Sequence, residues 1–267
     1  MRRLVIRPGA IGDFIVSLPA LESLRTDYFE VWVPSPNVPL VRFAHRVRSI
    51  ASTGLDLLGI ADPPAGLLDE LRSFDSIVSW YGANRAEFRD LIHALHLPCL
   101  FLPALPPEAA AVHATDFYLE QVRHLCESTR DPIPRIHCEI QCEVERENFA
   151  VIHPFSGSAR KNWPLEKFRQ LARGLERHMR VDWCAGPDDP PLAGAVRIDN
   201  LYELARWLAR ARLYAGNDSG ITHLAAAVGT PVLALFGPTN PEVWAPRGPN
   251  VRVVRWQTEP AAGSALQ

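Results

Sequence analysis

A chain of 267 residues with 47% hydrophobic and 22% charged residues has the composition of an ordinary globular protein of one large or two small domains. Its formal net charge of −2 gives no general attraction for nucleic acid, so an anionic ligand must be held by local groups. The five cysteines form no Cys-x-x-Cys pair, which favours reduced thiols in a cytosolic protein and leaves zinc binding as a minor alternative.

The basic N-terminus is followed by apolar residues, as in a secretory signal. Arg7 and Asp13 interrupt that run before it reaches the roughly 7–15 residues of a signal-peptide core. No stretch approaches the roughly 18 apolar residues of a membrane span. The sequence therefore predicts a soluble, cytoplasmic protein, and it leaves open a peripheral contact with the inner face of the cytoplasmic membrane.

The first half of the chain alternates short apolar runs with amphipathic segments. Pro19 lies inside the first amphipathic segment and is expected to kink or shorten a helix there. Strands alternating with helices predict a parallel sheet covered on both faces. Predicted strands span residues 4–6, 29–33, 76–80 and 98–102, and predicted helices span 14–25, 85–95 and 115–126.

A second alternating half follows residues 128–147, whose prolines indicate a connection between domains, with room for a strand. We therefore expect an N-terminal domain of residues 1–135 and a C-terminal domain of residues 136–267. The second helix-bearing segment opens at Pro164, a favoured first-turn residue. Predicted strands span residues 149–152, 180–184, 213–215, 232–236 and 251–254, and predicted helices span 165–178, 201–209 and 220–228.

The segment 216–223 follows a predicted strand and opens a predicted helix. Unpaired backbone N–H groups and the helix dipole make such a helix start a binding place for a diphosphate. Ser219 can add a hydroxyl, and Gly220 permits close approach of a phosphate. The alternative is that Asp218 or Ser219 only caps the helix. Two glycines, two hydroxyls and His223 favour a ligand site, although His223 itself fits packing equally well.

The segment 153–164 also joins a strand to a helix and concentrates hydroxyls with two cations, Arg160 and Lys161. Hydroxyls, N–H groups and a lysine are the groups that bind phosphate. The alternative is a solvated loop with two surface cations. The carboxyl ends of parallel strands share one edge of a sheet, so we expect this segment to face segment 216–223 across one cleft.

Asp13 follows the first predicted strand and can act as a general base or as a helix cap. The glycines before it do not form Gly-x-Gly-x-x-Gly, and the chain has no Gly-x4-Gly-Lys-Ser/Thr loop, which disfavours NAD chemistry and P-loop hydrolysis. A later segment, 230–241, contains a buried strand and a Gly-Pro turn, and a structural role suits it best.

Together these segments resemble the glycosyltransferase family 9 heptosyltransferases, which transfer heptose from an ADP-activated donor to the lipopolysaccharide core. The similar pieces occur in the family's order and span most of the chain. They are Arg7-Pro8-Gly9-Ala10-Ile11-Gly12-Asp13 with Leu18-Pro19-Ala20-Leu21, His153-Pro154 with Lys161-Asn162-Trp163-Pro164, Gly216-Asn217-Asp218-Ser219-Gly220 with His223-Leu224-Ala225, and Gly229-Thr230-Pro231 with Leu235-Phe236-Gly237-Pro238-Thr239.

The resemblance implies an α/β protein of the GT-B fold, in which two Rossmann-like domains face a central cleft. It implies that the N-terminal domain binds a lipopolysaccharide-core or related glycan acceptor and that the C-terminal domain binds a nucleotide-diphosphate sugar, ADP-heptose in the family. It further implies inversion in one displacement, with no cofactor, no metal and no nucleic-acid partner.

The family's site residues carry over to matching positions of this chain. Asp13 matches the proposed general base, and Lys161 matches a lysine that contacts the donor phosphates, so both are expected to be catalytic. The resemblance assigns the donor also to Ser156, Asp188, Ser219, Gly220 and the pair Asp218 and His223.

The chain departs from the family by its short length. Residues 185–200 leave no room for a helix that family members carry there, and the match of Asp188 or Asp189 to a ribose contact is loose. The alternatives are a catalytically silent nucleotide-sugar-binding module and, less favoured, a GT-B epimerase or phosphorylase.

Overall fold

Two parallel sheets of five strands each organise the computed structural model, which describes residues 1–107, 111–126, 131–138 and 146–257. The chain forms two compact units, and its main division falls between Arg135 and Ile136. The first unit also takes in Asn200–Tyr202. No helix in the described part of the chain is long and apolar enough to cross a membrane.

The sheet of the first unit has the strand order β3-β2-β1-β4-β5, so the order reverses direction beside β1. Its core includes apolar side chains from β1, from the neighbouring strands and from α2 and α3. Its strands are β1 (Arg2–Ile6), β2 (Tyr28–Val33), β3 (Arg46–Ser49), β4 (Ser76–Ser79) and β5 (Cys99–Phe101), and its helices are α1 (Ile11–Ser23), α2 (Leu67–Arg72), α3 (Ala86–Ala94) and α4 (Ala114–Val122).

Helix α1 begins three residues before its predicted start, at Ile11, because extended backbone at Ala10 already precedes the first turn. Asp13 is therefore the third helical residue and does not precede the helix. Pro19 lies inside the helix without ending it, and the Ser23 hydroxyl donates to its carbonyl over 2.8 Å. Buried residues run without a break from Phe14 to Leu21, as expected for a helix covered on all sides.

Strand β3 was not predicted, because its sequence Arg46-Val47-Arg48-Ser49 carries only one apolar residue. Its arginines are held by one carboxylate of α2: Arg46 lies 2.9 Å and Arg48 2.5 Å from the carboxylate oxygens of Glu70. Charged side chains are a common device at an unprotected sheet edge, and β3 is an edge strand.

The sheet of the second unit has the order β10-β9-β8-β6-β7. Its apolar core lies between the sheet and α5. Its strands are β6 (Glu147–His153), β7 (Arg180–Trp183), β8 (Ala211–Asn217), β9 (Val232–Phe236) and β10 (Val251–Arg255), and its helices are α5 (Leu165–Leu175), α6 (Leu201–Arg210), α7 (Gly220–Ala227) and α8 (Pro241–Trp244).

The connection from β7 to α6, which is described throughout, contains no helix. In this connection Val196 forms a single parallel bridge with Cys184. The sequence left room for a strand within residues 128–147; residues 131–138 form none, and residues 128–130 and 139–145 lie outside the described residues.

The topological switch of this second sheet lies between β6 and β8. These strands are parallel neighbours, and His153 pairs with Gly216 where both approach their carboxyl ends. The chain leaves β6 toward α5 on one side and leaves β8 toward α7 on the other. In open parallel sheets a ligand binds in the crevice outside such a pair of strand ends. The fold therefore indicates where a binding site of this unit is to be sought.

Candidate functional site

The switch point of the second sheet brings together the two segments that the sequence singled out there. The ammonium of Lys161, in the loop between β6 and α5 (residues 154–164, the β6–α5 loop), lies 2.8 Å from the Asp218 carboxylate. Asp218 is buried, whereas Lys161 is 36% exposed. The pair thus presents a half-exposed cation at the ends of β6 and β8.

The β6–α5 loop is also attached to β8 by a fully buried carboxamide. Asn217 donates from Nδ2 to the Pro154 carbonyl over 2.8 Å and accepts from the Trp163 backbone N–H at Oδ1 over 2.8 Å. One side chain thereby holds both ends of the loop. The sequence alone assigned Asn217 no role, because asparagine at a strand end is usually a turn residue.

The N-terminus of α7 is capped by Ser219, whose hydroxyl accepts from the Thr222 N–H over 3.3 Å. Thr222 is buried, and its hydroxyl lies 3.2 Å from the Tyr214 hydroxyl, a contact that helps to hold the capped first turn in place. Gly220, half-buried, opens the helix without a side chain. The first turn therefore combines a fixed helix start with backbone that a ligand can approach closely.

Two further predicted donor residues of this unit are engaged by the protein itself. The Ser156 hydroxyl lies 2.8 Å from the Ser158 carbonyl and 2.7 Å from Asn162 Oδ1, so it stabilises the β6–α5 loop internally. His223 is 6% exposed, one turn into α7. This burial agrees with a packing role, which fits the sequence of His223 as well as ligand binding does.

The two neighbouring aspartates after β7 have different surroundings. Asp188 is exposed, whereas Asp189 contacts the buried His153 ring over 2.9 Å and accepts from the Gly186 N–H over 2.6 Å. The hydrogen bond with His153 holds the pKa of Asp189 below its ordinary value of 3.8. The structure thus ties Asp189, not Asp188, to the end of β6.

In the first unit, Asp13 is half-buried, and its Oδ2 accepts from the Ala10 backbone N–H over 3.1 Å. The carboxylate therefore closes the first turn of α1, as the capping interpretation required, while its half-exposed position keeps it accessible. Gly9 is required beside it: its φ is +110°, and a Cβ there would lie 2.9 Å from Asp13 Cβ.

A buried arginine, Arg7, to which the sequence alone assigned no role in the site, holds the backbone at Asp13. Arg7 is 1% exposed and donates to the Asp13 carbonyl over 2.7 Å, to Ser17 Oγ over 2.9 Å and to the Tyr118 hydroxyl over 3.0 Å. Burial lowers the pKa of its guanidinium. A charge directly after a buried strand was the available signal.

The zinc alternative involved His137, Cys138 and Cys142, of which Cys142 lies outside the described residues. Within the described ranges no group of three or more His, Cys, Asp or Glu side chains could hold a metal ion. None of the described cysteines, Cys99, Cys126, Cys138 and Cys184, forms a disulfide.

The model of glycosyltransferase family 9 (heptosyltransferase) matches residues 109–265. Lipopolysaccharide heptosyltransferase 3 of Escherichia coli (strain K12) is 22% identical over 295 residues, covering 90% of this chain and 83% of that protein.

Solved structures show the same fold. E. coli heptosyltransferase WaaC with ADP superposes with a TM-score of 0.72 at 21% identity, covering 96% of this chain and 93% of that one. The glycosyl transferase family 9 structure from Veillonella parvula DSM 2008 gives a TM-score of 0.73 at 18% identity, covering 96% and 86%. Two Rossmann-like domains and a family model that matches more than half of the sequence lead to one conclusion: this chain belongs to glycosyltransferase family 9 and is a glycosyltransferase of the GT-B fold.

Proposed function

We propose that the protein transfers heptose or a related sugar from an ADP-sugar to a lipopolysaccharide-core or other surface glycan, with inversion and without a metal. Residues 1–135 are the proposed acceptor domain and residues 136–267 the proposed donor domain. The observation that carries the proposal is the Lys161–Asp218 pair beside the start of α7, at the switch point of the second sheet.

The donor diphosphate is proposed to bind between Lys161 and the first turn of α7. The backbone N–H groups at the start of that turn and the lysine ammonium supply positive charge to the phosphate oxygens. Gly220 allows the phosphate to approach, and Ser219 and Asp218 line the same turn. Ser156 keeps the β6–α5 loop in shape, and the exposed Asp188 is the proposed partner of a ribose hydroxyl. His223 supports this turn from within α7.

The nucleotide is proposed to be ADP, because one similar fold was solved with ADP and the similar E. coli protein is named a lipopolysaccharide heptosyltransferase. Lipopolysaccharide is a membrane glycolipid. We therefore propose that the protein works in the cytoplasm and meets its acceptor at the inner face of the cytoplasmic membrane, as a peripheral protein.

In the proposed reaction Asp13 accepts the proton of an acceptor hydroxyl as that oxygen attacks the anomeric carbon. The new glycosidic bond forms as the bond from the anomeric carbon to the diphosphate oxygen breaks, so the configuration inverts. Negative charge grows on the departing ADP, where Lys161 and the α7 N–H groups stabilise it. The hydrogen bond from Ala10 fixes the carboxylate of Asp13 during this step.

A catalytically silent binding module is the second candidate, because the connection from β7 to α6 lacks a helix beside the proposed donor site. Such a module needs the Lys161–Asp218 pair but has no use for an accessible carboxylate at position 13. Donor binding is common to both candidates, and transfer separates them.

The test is calorimetric titration with ADP, UDP, GDP and ADP-heptose in the presence of EDTA. We expect ADP and ADP-heptose to bind selectively. Lys161→Ala should weaken ADP binding by about tenfold or more, since it removes a charged hydrogen bond. The matched control is Lys167→Ala, because Lys167 is exposed on α5 and is the chain's only other lysine. Binding of none of the four ligands, or equal effects of both variants, would contradict the proposed donor site.

A further inference from the structure

We infer that Asn217 is a positioning residue, which holds the β6–α5 loop so that Lys161 stands at the start of α7. The inference assigns a role to a residue that neither binds the proposed donor nor takes part in the transfer. Its effect on donor affinity rests on the proposed function, whereas its effect on the loop does not.

The side chain of Asn217 joins the two ends of the β6–α5 loop by two hydrogen bonds, which we call the Asn217 clasp. This side chain is fully buried at the end of β8. Nδ2 donates to the carbonyl of Pro154, the first residue after β6, and Oδ1 accepts from the N–H of Trp163. The loop therefore leaves the sheet and returns to it against one carboxamide. Hydrogen bonds of 2.8 Å made by a fully buried side chain are expected to be strong.

The position of Lys161 depends on this clasp, because the lysine is close to Trp163 in the chain. It precedes Trp163 by two residues, and its ammonium meets Asp218, the residue directly after Asn217. A backbone tie and a side-chain ion pair thus link the same two stretches of chain. A lysine side chain that is 36% exposed has many rotamers available, and a fixed backbone limits where its ammonium can lie.

Only a carboxamide can serve both ends of the loop. Its NH2 group donates while its carbonyl accepts; a carboxylate lacks the donor and an alanine lacks both groups. Contacts inside the loop, such as that of Ser156 with Asn162, stabilise its shape but do not attach it to β8. A merely structural role would instead predict that substitution loosens β8 and α7 as a whole.

The first experiment reads the loop without any donor. Because the chain has two lysines, labelling lysine at Cε with 13C gives two NMR signals, Lys161 and the exposed reference Lys167. We expect Asn217→Ala to shift the Lys161 signal toward that of Lys167, which stays in place. Asn148→Ala, an exposed asparagine near the opposite end of β6, is the control and should leave both signals unchanged.

Hydrogen exchange supplies a second reading. The Trp163 amide should exchange slowly in the wild type and in Asn217→Asp, which keeps the acceptor, and at least about tenfold faster in Asn217→Ala. A Trp163 amide that exchanges freely in the wild type overturns the inference even if no variant folds. Faster exchange spread over β8 and α7 in Asn217→Ala would also overturn it, in favour of a structural role.

The last experiment is a double-mutant cycle on ADP affinity. If Asn217 acts through Lys161, then Asn217→Ala weakens ADP binding by about tenfold in the wild type and adds little in the Lys161→Ala background. Fully additive losses would overturn the inference. If the wild type binds no ADP, the proposed function fails, while the NMR and exchange experiments still decide the role of Asn217.

Discussion

Asp13 closes the first turn of α1 with one carboxylate oxygen and is half-exposed at the same time, so stability and catalysis can both depend on it. Substitution by alanine removes both functions and cannot separate them. Asparagine keeps an oxygen that accepts from the Ala10 N–H and loses only the basic group.

We therefore expect Asp13→Asn to lower the transfer rate by at least about 100-fold, the usual minimum contribution of a general base. The midpoint of urea unfolding and the Kd for ADP should stay at the wild-type values. The measurements are steady-state transfer, denaturation and calorimetry on one preparation. A parallel loss of rate and stability would show that position 13 serves only the helix.

The hydrogen bond between Asp189 and His153 is expected to make the stability of the second unit depend on pH. This hydrogen bond lowers the pKa of the carboxyl group in the folded state, so the ionised form stabilises the fold above the ordinary value of 3.8. That contribution disappears as pH falls through the lowered pKa. We expect wild type to be more stable than Asp189→Asn at pH 7, with the difference shrinking as pH falls below 3.8 and through the lowered pKa. Urea midpoints across this range test it, and a constant difference would contradict the pairing.

Single residues were the hardest level to predict from the sequence. Gly9, Asp13, Lys161 and Ser219 lie in recognisable patterns, and the structure places each beside its expected helix or loop. Asn217 and Arg7 lie in the same patterns but were assigned no role, because their roles depend on contacts with distant parts of the chain, such as Pro154 and Tyr118. Composition and spacing do not report such contacts.

At the level of elements, Ser219 caps helix α7 and also lies at the proposed diphosphate site. Substitutions can separate these two functions. Ser219→Ala removes the cap and should lower the free energy of unfolding by about 1 kcal/mol. Ser219→Asp keeps a capping oxygen but places negative charge at the proposed diphosphate site. We expect it to retain stability and to weaken ADP binding, as measured by urea denaturation and calorimetry. Unchanged ADP affinity in Ser219→Asp would place the diphosphate elsewhere.

Most elements could be predicted because apolar periodicity marks them. Strand β9 has its predicted bounds, and α3 and α6 agree within one residue at each end. The differences have physical reasons: β3 is a polar edge strand, and β8 extends beyond its apolar centre because Ala211 and Gly216 still pair with β6. Helix α5 starts at its predicted residue, Leu165, with Pro164 at the N-cap and not in the first turn, and it ends three residues early, at Leu175.

At the level of the whole molecule, the two units make separate contributions in the proposed function. ADP should slow hydrogen exchange in the β6–α5 loop and at residues 218–223, because a ligand stabilises what it contacts. Exchange in strands β1 to β5 should stay unchanged. Mass-spectrometric exchange with and without ADP tests this, and protection centred on the first unit would reverse the proposed domain roles.

The doubling of the architecture was visible in the sequence as two alternating halves, and the GT-B fold follows from it together with the family resemblance. The strand order of each sheet was not visible in the sequence. Order depends on which strands pair across long connections, and short apolar runs carry no information about that pairing. The position of the switch point between β6 and β8 therefore required the structure.

The clasp formed by Asn217 has a consequence for conformational entropy. Fixing one residue's backbone opposes binding by roughly 1–2 kcal/mol when a ligand must order it. Here the fold itself fixes the segment from Pro154 to Trp163 at both ends. A nucleotide that binds beside it needs to immobilise little more than the lysine side chain. The affinity at this site should therefore reflect the contacts with the nucleotide, because binding loses little conformational entropy of the loop.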